Sequence, residues 1–185
     1  MPFVETGFPG LKIFEPRVFA DSRGYFFESF NKLVFQDAGI DVEFVQDNES
    51  RSQRGVLRGL HYQMNPMAQA KLVRVVEGEV LDIVVDIRKG SPTFGKIFSV
   101  ALSAENKKQL FIPRGFAHGF AVLSENAIFQ YKCDNYYSKE SESGIHVYDQ
   151  NLNIEWGITR EEAIISEKDK VLPSFRDCAN NFEFQ

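Results

Sequence analysis

Between Arg58 and Asp82 the sequence places Arg58, His61, Lys71 and Asp82 among residues that otherwise have the apolar character of buried strands, in RGLHYQ, QAKLVRVV and GEVLDIVVDIR. A charge in an apolar strand is costly unless it is paired or put to use. Such a density of charge therefore points to a lined cavity rather than a plain core. Further along, IPRGFAHGF alternates His118 with Phe116 and Phe120, and AIFQYKC puts Phe129 and Tyr131 on one face. Histidine, lysine, arginine, aspartate and tyrosine together suit proton transfer beside an electrophilic clamp.

Each residue also has a plainer reading. His61 is equally a structural strand histidine, Tyr131 a core aromatic with a satisfied hydroxyl, and Lys71 with Asp82 a solvent-facing ion pair. Asp169, in SEKD, is uninformative alone, because acidic surface residues are common. The chain has three histidines, His61, His118 and His146, with no His-x-His spacing, so a metal site is disfavoured. Neither GxGxxG nor GxxxxGK[ST] occurs, which argues against a dinucleotide cofactor and a P-loop. A GxSxG elbow is missing too.

The elements around these residues read mainly as short strands. Leu11 to Phe14 forms the first, Asp21 to Gly24 a turn, and Tyr25 to Phe30 the next strand. NKLVFQDAGI starts on an Asn cap and predicts a short helix ending near Gly39. In VEFVQDNES, Val42, Phe44, Gln46 and Asn48 share a face; Gln46 and Asn48 either turn toward a cavity or mark a fraying end. KLVRVV–EG–EVLDIVVDIR predicts a hairpin turning at Glu77–Gly78, with Val73 opposite Asp82 and Lys71 opposite Val84. Lys71, Val73, Val75, Asp82 and Val84 then share a face, and Lys71 lies diagonal to Asp82. Arg58 and His61 have opposite parity on their strand, so both line one cavity only if it bends or bulges near Gly59. The strands continue to about residue 133, and the pattern loosens from about 144, with TREEA as a capped helical turn. Roughly nine or ten strands with little helix indicate an all-β antiparallel barrel or jelly roll.

At 185 residues the chain suits one domain over 1–185. Hydrophobic residues make up 43% and Phe alone accounts for 18, which favours strands. A net charge of −5 without a basic stripe argues against a nucleic-acid or anionic-membrane surface. Two cysteines, Cys133 and Cys178, cannot build a multi-bridge framework. MPFVETGFPG lacks the pattern of a signal peptide, and no apolar run reaches the roughly 18 residues of a membrane span. A cytoplasmic protein is expected.

The segments DSRGYFFESF, FVQDNESRS, GVLRGLHYQ, QAKLVRVVEGEVLDIVVDIRKGSPTFGK, IPRGFAHGF, YKCDNYYSKESESGI and ISEKD run from about residue 8 to residue 170. Together they resemble the dTDP-4-dehydrorhamnose 3,5-epimerase family, cofactor-independent cupin-fold enzymes of deoxysugar nucleotide synthesis. The resemblance implies a cupin-like jelly roll, a dTDP-sugar substrate, no cofactor or metal, and a homodimer with exchanged N-terminal strands. It implies His61 as general base oriented by Asp169, and Tyr131 as the acid on the opposite face of the sugar. Lys71 is implied to stabilise an enolate oxygen, with Asp82, Arg58 and His118 completing the pocket. Arg23, Glu28, Gln46, Asn48, Glu142 and Lys168 match nucleotide-binding positions, and Tyr137 the aromatic that stacks on thymine. Two departures, His146 in place of a frequent Trp and Gly157 in place of a usual Pro, concern C-terminal packing.

The chemistry agrees with these roles. A 4-keto sugar has acidified C–H bonds at C3 and C5, and removing either proton puts negative charge on the ketone oxygen. A positioned cation stabilises that charge, and inversion needs a proton from the other face. The expected reaction converts dTDP-4-dehydro-6-deoxy-D-glucose to dTDP-4-dehydro-L-rhamnose. Alternatives are a single-centre epimerase of another 4-keto sugar nucleotide, a metal-dependent cupin, and a catalytically silent sugar-nucleotide binding module.

Overall fold

In a computed structural model, residues 2–184 are described. The strands are β1 (Phe3–Glu5), β2 (Lys12–Phe14), β3 (Val18–Asp21), β4 (Gly24–Phe27), β5 (Gln46–Gln53), β6 (Val56–Gln63), β7 (Lys71–Glu77), β8 (Glu79–Asp86), β9 (Ile97–Ser103), β10 (Gln109–Ile112), β11 (Phe116–Val122), β12 (Asn126–Cys133), β13 (Glu142–Gly144) and β14 (Ile164–Ile165). Two short helices, α1 (Lys32–Asp37) and α2 (Glu167–Lys170), complete the list. The expected α1 is present, and the Asn31 side chain caps it by accepting from the Leu33 N–H at 3.0 Å. Neither helix is long and apolar enough to cross a membrane.

One sheet has the order β1-β2-β10-β7-β12-β5; the second runs β13-β6-β11-β8-β9, with β14 beside β6. All pairings are antiparallel except β14 with β6. Side chains alternate, so each sheet sends every second residue inward. Val73, Val75 and Phe129 of the first sheet meet Val80, Val84, Phe116 and Phe120 of the second in a shared interior. The result is the antiparallel jelly roll expected from the spacing of the strands. Outside the first sheet, Phe14, Phe35, Ile40 and Leu72 form a cluster that Phe30, Val42 and Phe44 cover. Outside the second, Leu57, Leu60, Ile83 and Val85 lie under Ile145, Val147 and Trp156.

The expected hairpin at Glu77–Gly78 is not formed. β7 lies between β10 and β12, whereas β8 lies between β11 and β9, so the chain crosses between sheets at Gly78. The cause is apolar character on both faces of each strand. Assignment to opposite sheets lets Val73 and Val84 meet inside while Leu72 and Ile83 are buried outside. Lys71 and Asp82 still point into the same interior, but from opposite walls. Gly78 has φ +77°, and a Cβ there would lie 2.0 Å from the Asn126 carbonyl oxygen.

Other boundaries shift for related reasons. Val42 and Phe44 precede β5 and pack in the outer cluster, while Gln46 and Asn48 sit in regular pairing opposite Cys133 and Tyr131. Those two polar residues are therefore not a fraying end. The strand expected over Tyr25 to Phe30 stops at Phe27 and pairs only with β3. Thr159 and Glu162 exchange reciprocal capping bonds, but the helix forms later, at Glu167–Lys170. His146 and Gly157 leave the C-terminal packing intact: buried Trp156 donates to the Val147 carbonyl at 2.8 Å.

Candidate active site

The bend required near Gly59 is a bulge. His118 pairs with His61 while Phe120 pairs with Arg58, so β6 carries one extra residue between the two pairs. Gly59 has φ +128°, and an added Cβ would lie 2.5 Å from Gly119 Cα. Only glycine allows that backbone approach. The bulge resets the alternation, so Leu57 and Tyr62 both pack in the outer cluster of the second sheet. Arg58 and His61, one position inward of each, can then serve one cavity.

His61 Nε2 lies 2.8 Å from Asp169 Oδ1, and Asp169 Oδ2 accepts from the Gly59 N–H at 3.4 Å. Asp169 is only 3% exposed. Burial pushes its carboxyl up, but the His61 bond and charge, with the Gly59 N–H, hold it below the usual range. The Ser166 Oγ accepts from the Asp169 N–H at 3.1 Å, capping the single turn of α2 that presents this carboxylate. With Nε2 committed to Asp169, Nδ1 is the ring nitrogen left to take a proton.

His118, the cross-strand partner of His61, repeats the arrangement: its Nε2 lies 2.9 Å from Asp82 Oδ2. Asp82 is fully buried and its Oδ1 has no partner among the described residues. The expected Lys71–Asp82 pair is thus replaced by a His118–Asp82 pair, because the strands lie in different sheets. Among the described residues Lys71 Nζ makes no ion pair or hydrogen bond; it lies 5.8 Å from the Tyr131 ring centroid. Burial lowers the Lys71 pKa, against the opposing charges of Asp82 and Glu142. Tyr131 is pushed up by burial, which keeps its phenol protonated at neutral pH. His61 and His118 therefore occupy one wall, and Lys71 and Tyr131 the other.

At the rim, Arg58 donates from Nε and Nη2 to Ser52 Oγ at 3.2 and 3.1 Å. Gln46 Oε1 accepts from the Tyr137 N–H at 3.0 Å, and its Nε2 donates to Asn48 Oδ1 at 3.0 Å. The Tyr137 hydroxyl donates to Glu142 Oε2 at 2.9 Å, while Lys168 Nζ lies 2.6 Å from Glu142 Oε1. Gln46, Asn48, Tyr137, Glu142 and Lys168 thus form one connected group. Arg23 and Glu28 do not join it. Arg23 pairs with Asp21 at 2.6 Å on the β3–β4 turn, and Glu28 is exposed beyond β4. Sequence reasoning passed over Ser52 and Cys133. Cys133 has the parity of Tyr131 and stands opposite Lys71, the signal that marks it as inward-facing; burial lifts its thiol to about 11.

An imidazole held by a carboxylate on one wall, with a phenol on the other and beside it an ammonium that has no ion-pair partner among the described residues, is an arrangement suited to acid–base chemistry inside a jelly roll. The comparisons are of that class. The family model for dTDP-4-dehydrorhamnose 3,5-epimerase matches residues 5–177. A dTDP-4-dehydrorhamnose 3,5-epimerase of Shigella flexneri is 59% identical over 170 residues, covering 91% of this chain and 93% of the relative. A crystal structure of that enzyme from Elizabethkingia anophelis superposes with a TM-score of 0.91 at 53% identity, covering 95% of this chain and 96% of the other. The Legionella pneumophila dTDP-6-deoxy-D-glucose-3,5-epimerase, in complex with dTDP-4-keto-L-rhamnose, has a TM-score of 0.90 at 50% identity, covering 95% and 93%. The chain belongs to the dTDP-4-dehydrorhamnose 3,5-epimerase family, and its jelly roll is the cupin-like fold of that family.

Proposed function

We propose that this protein inverts C3 and C5 of dTDP-4-dehydro-6-deoxy-D-glucose, giving dTDP-4-dehydro-L-rhamnose. The observation that carries the reading is the opposition of the His61–Asp169 pair to Tyr131, with Lys71 beside Tyr131 and without an ion-pair partner among the described residues. His61 Nδ1 removes the proton next to the ketone, and Asp169 stabilises the imidazolium that results. Lys71, half-buried beside Tyr131, stabilises the enolate oxygen. Tyr131 returns a proton from the opposite wall. Each inversion removes one proton and returns one, so the step is redox-neutral. Asp82, His118 and Arg58 complete the sugar pocket. Gln46, Asn48, Tyr137, Glu142 and Lys168 bind the nucleotide, with Tyr137 stacking on thymine.

In heavy water, turnover should place deuterium at both C3 and C5. Label at one carbon only refutes the double epimerase and supports a single-centre enzyme. Turnover abolished by chelator refutes the metal-free scheme.

The same reading includes a homodimer. Phe19, Tyr25 and Phe26 on the β3–β4 hairpin are exposed, Phe26 by 70%, and they support exchange of this hairpin with a second copy. Arg23 and Glu28 then serve the partner's nucleotide site. Light scattering at micromolar concentration should give twice the chain mass, and a Phe19→Ser/Phe26→Ser variant should dissociate; a wild-type monomer removes this part. A nucleotide-sugar substrate supports the cytoplasmic location expected from the sequence.

A further inference from the structure

The carboxylate of the dyad is carried by a slight element. α2 is four residues long, and Glu167, Lys168 and Lys170 on it are exposed while Asp169 is buried. Its contacts with the rest of the fold are correspondingly few. Asp169 reaches His61 and the Gly59 N–H, and Lys168 reaches Glu142. These contacts close a circuit. His61 pairs in register with Gly144 on β13, and Glu142 lies two residues earlier on that strand. Glu142 Oε1 binds Lys168 at 2.6 Å, Lys168 adjoins Asp169, and Asp169 Oδ1 returns to His61 at 2.8 Å. Both Glu142 oxygens are engaged, because Oε2 accepts from the Tyr137 hydroxyl at 2.9 Å. Tyr137 is itself held by Gln46. The carboxylate is fixed in orientation, and with it the distance between β13 and α2.

We propose that Glu142 is a positioning residue for the His61–Asp169 dyad, acting through Lys168 and beyond any contact with the nucleotide. Without the bridge, the side chains of α2 are tied to β6 by the dyad and the Gly59 N–H, while its flanks stay held by the β14–β6 pairing and the bond from the His146 N–H to the Pro173 carbonyl. The imidazole and carboxylate then sample geometries in which Nδ1 is misaimed, and small misplacements of a catalytic group are costly in rate. A group that only bound the nucleotide would alter affinity instead. Lys168 is 58% exposed at its side chain, so the bridge acts by restraint more than by its own stability.

The turnover arms of the test rest on the epimerase reading; the spectroscopic arm does not. In the ligand-free protein, Glu142→Gln should shift the ¹⁵N resonances of the His61 imidazole. It should also lower kcat by roughly tenfold, in addition to any change in KM that loss of its nucleotide contact brings. Lys168→Met, which opens the same bridge from α2, should reproduce both effects. The exchanged pair Glu142→Lys/Lys168→Glu should recover the imidazole signals and most of kcat. The proposal is overturned if Glu142→Gln changes KM alone and leaves the His61 signals in place, or if the exchanged pair is no better than the single variants. If the wild-type protein does not turn over the 4-keto substrate, the epimerase reading fails, and the imidazole spectra alone decide the role of Glu142.

Discussion

Replacing Asp169 by Asn is a sharp test of the dyad, because it keeps the shape and removes the charge. The carboxylate accepts twice, from His61 Nε2 at 2.8 Å and from the Gly59 N–H at 3.4 Å. An amide cannot accept in both directions. With its oxygen toward His61, its NH₂ opposes the Gly59 N–H. Flipped, its NH₂ faces Nε2 and forces the imidazole proton onto Nδ1, the atom that must be bare to act as a base. In the first orientation the loss is that of a charge-assisted bond, about 1.5–3 kcal/mol. At about 1.4 kcal/mol per tenfold this is roughly 10- to 150-fold in kcat. The second orientation adds a wrong tautomer, which in serine proteases costs about 10⁴-fold. The expected result is a fall in kcat on the order of 10²-fold or more, with dTDP affinity by calorimetry unchanged. Deuterium incorporation at C3 and C5, followed by proton NMR, reads the rate of each inversion. A variant that retains kcat within about threefold of wild type would refute the assignment of Asp169 to the base.

Three further outcomes follow from the same geometry. Lys71→Met keeps the volume and removes a half-buried ammonium with no ion-pair partner among the described residues, so kcat should fall roughly 10²- to 10³-fold while thermal stability holds or rises; a calorimetric melt and turnover on one sample check both signs. Gly59→Ala brings a Cβ to 2.5 Å from Gly119 Cα at a positive φ, so it should cost roughly 2 kcal/mol or more and displace His61, seen as a lower urea midpoint and reduced kcat. Asp86 is fully buried and accepts from Arg88, Ser91 and Thr93. Burial alone raises its pKa, but those donors together hold it below 3.8. Its stabilisation is thus present above that pH and lost as pH falls through the lower folded value. Asp86→Asn should cost roughly 3 kcal/mol at neutral pH, and the gap to wild type should narrow in urea melts as pH falls below 3.8.

The parts of this molecule legible in the sequence are those set by neighbours along the chain. Asn31 followed by KLVFQD is enough for a capped helix, because the cap bond spans only two residues. The alternation of residues puts Lys71 with Val73 and Val75, Asp82 with Val84, His118 with Phe116 and Phe120, and Tyr131 with Phe129 on shared faces, because strand parity is a local property. The parity conflict at Arg58 and His61 pointed to a bend near Gly59 on the condition that both line one cavity, and the bulge there meets it. Resemblance of the motifs to the epimerase family carried the substrate and the candidate residues.

Partnership between distant elements was decided only by the tertiary structure. A Glu77–Gly78 turn fits a hairpin locally, yet the strands separate, since apolar side chains on both faces need cover on both sides and only two facing sheets supply it. That choice pairs Asp82 with His118 and leaves Lys71 without an ion-pair partner among the described residues. Likewise, nothing local distinguishes Asp169 from a surface carboxylate. It acts on His61 because β14 pairs with β6 and α2 then delivers Asp169 from 108 residues away in the sequence. Side-chain direction is written residue by residue, whereas the choice of partner is a contest between whole surfaces for burial.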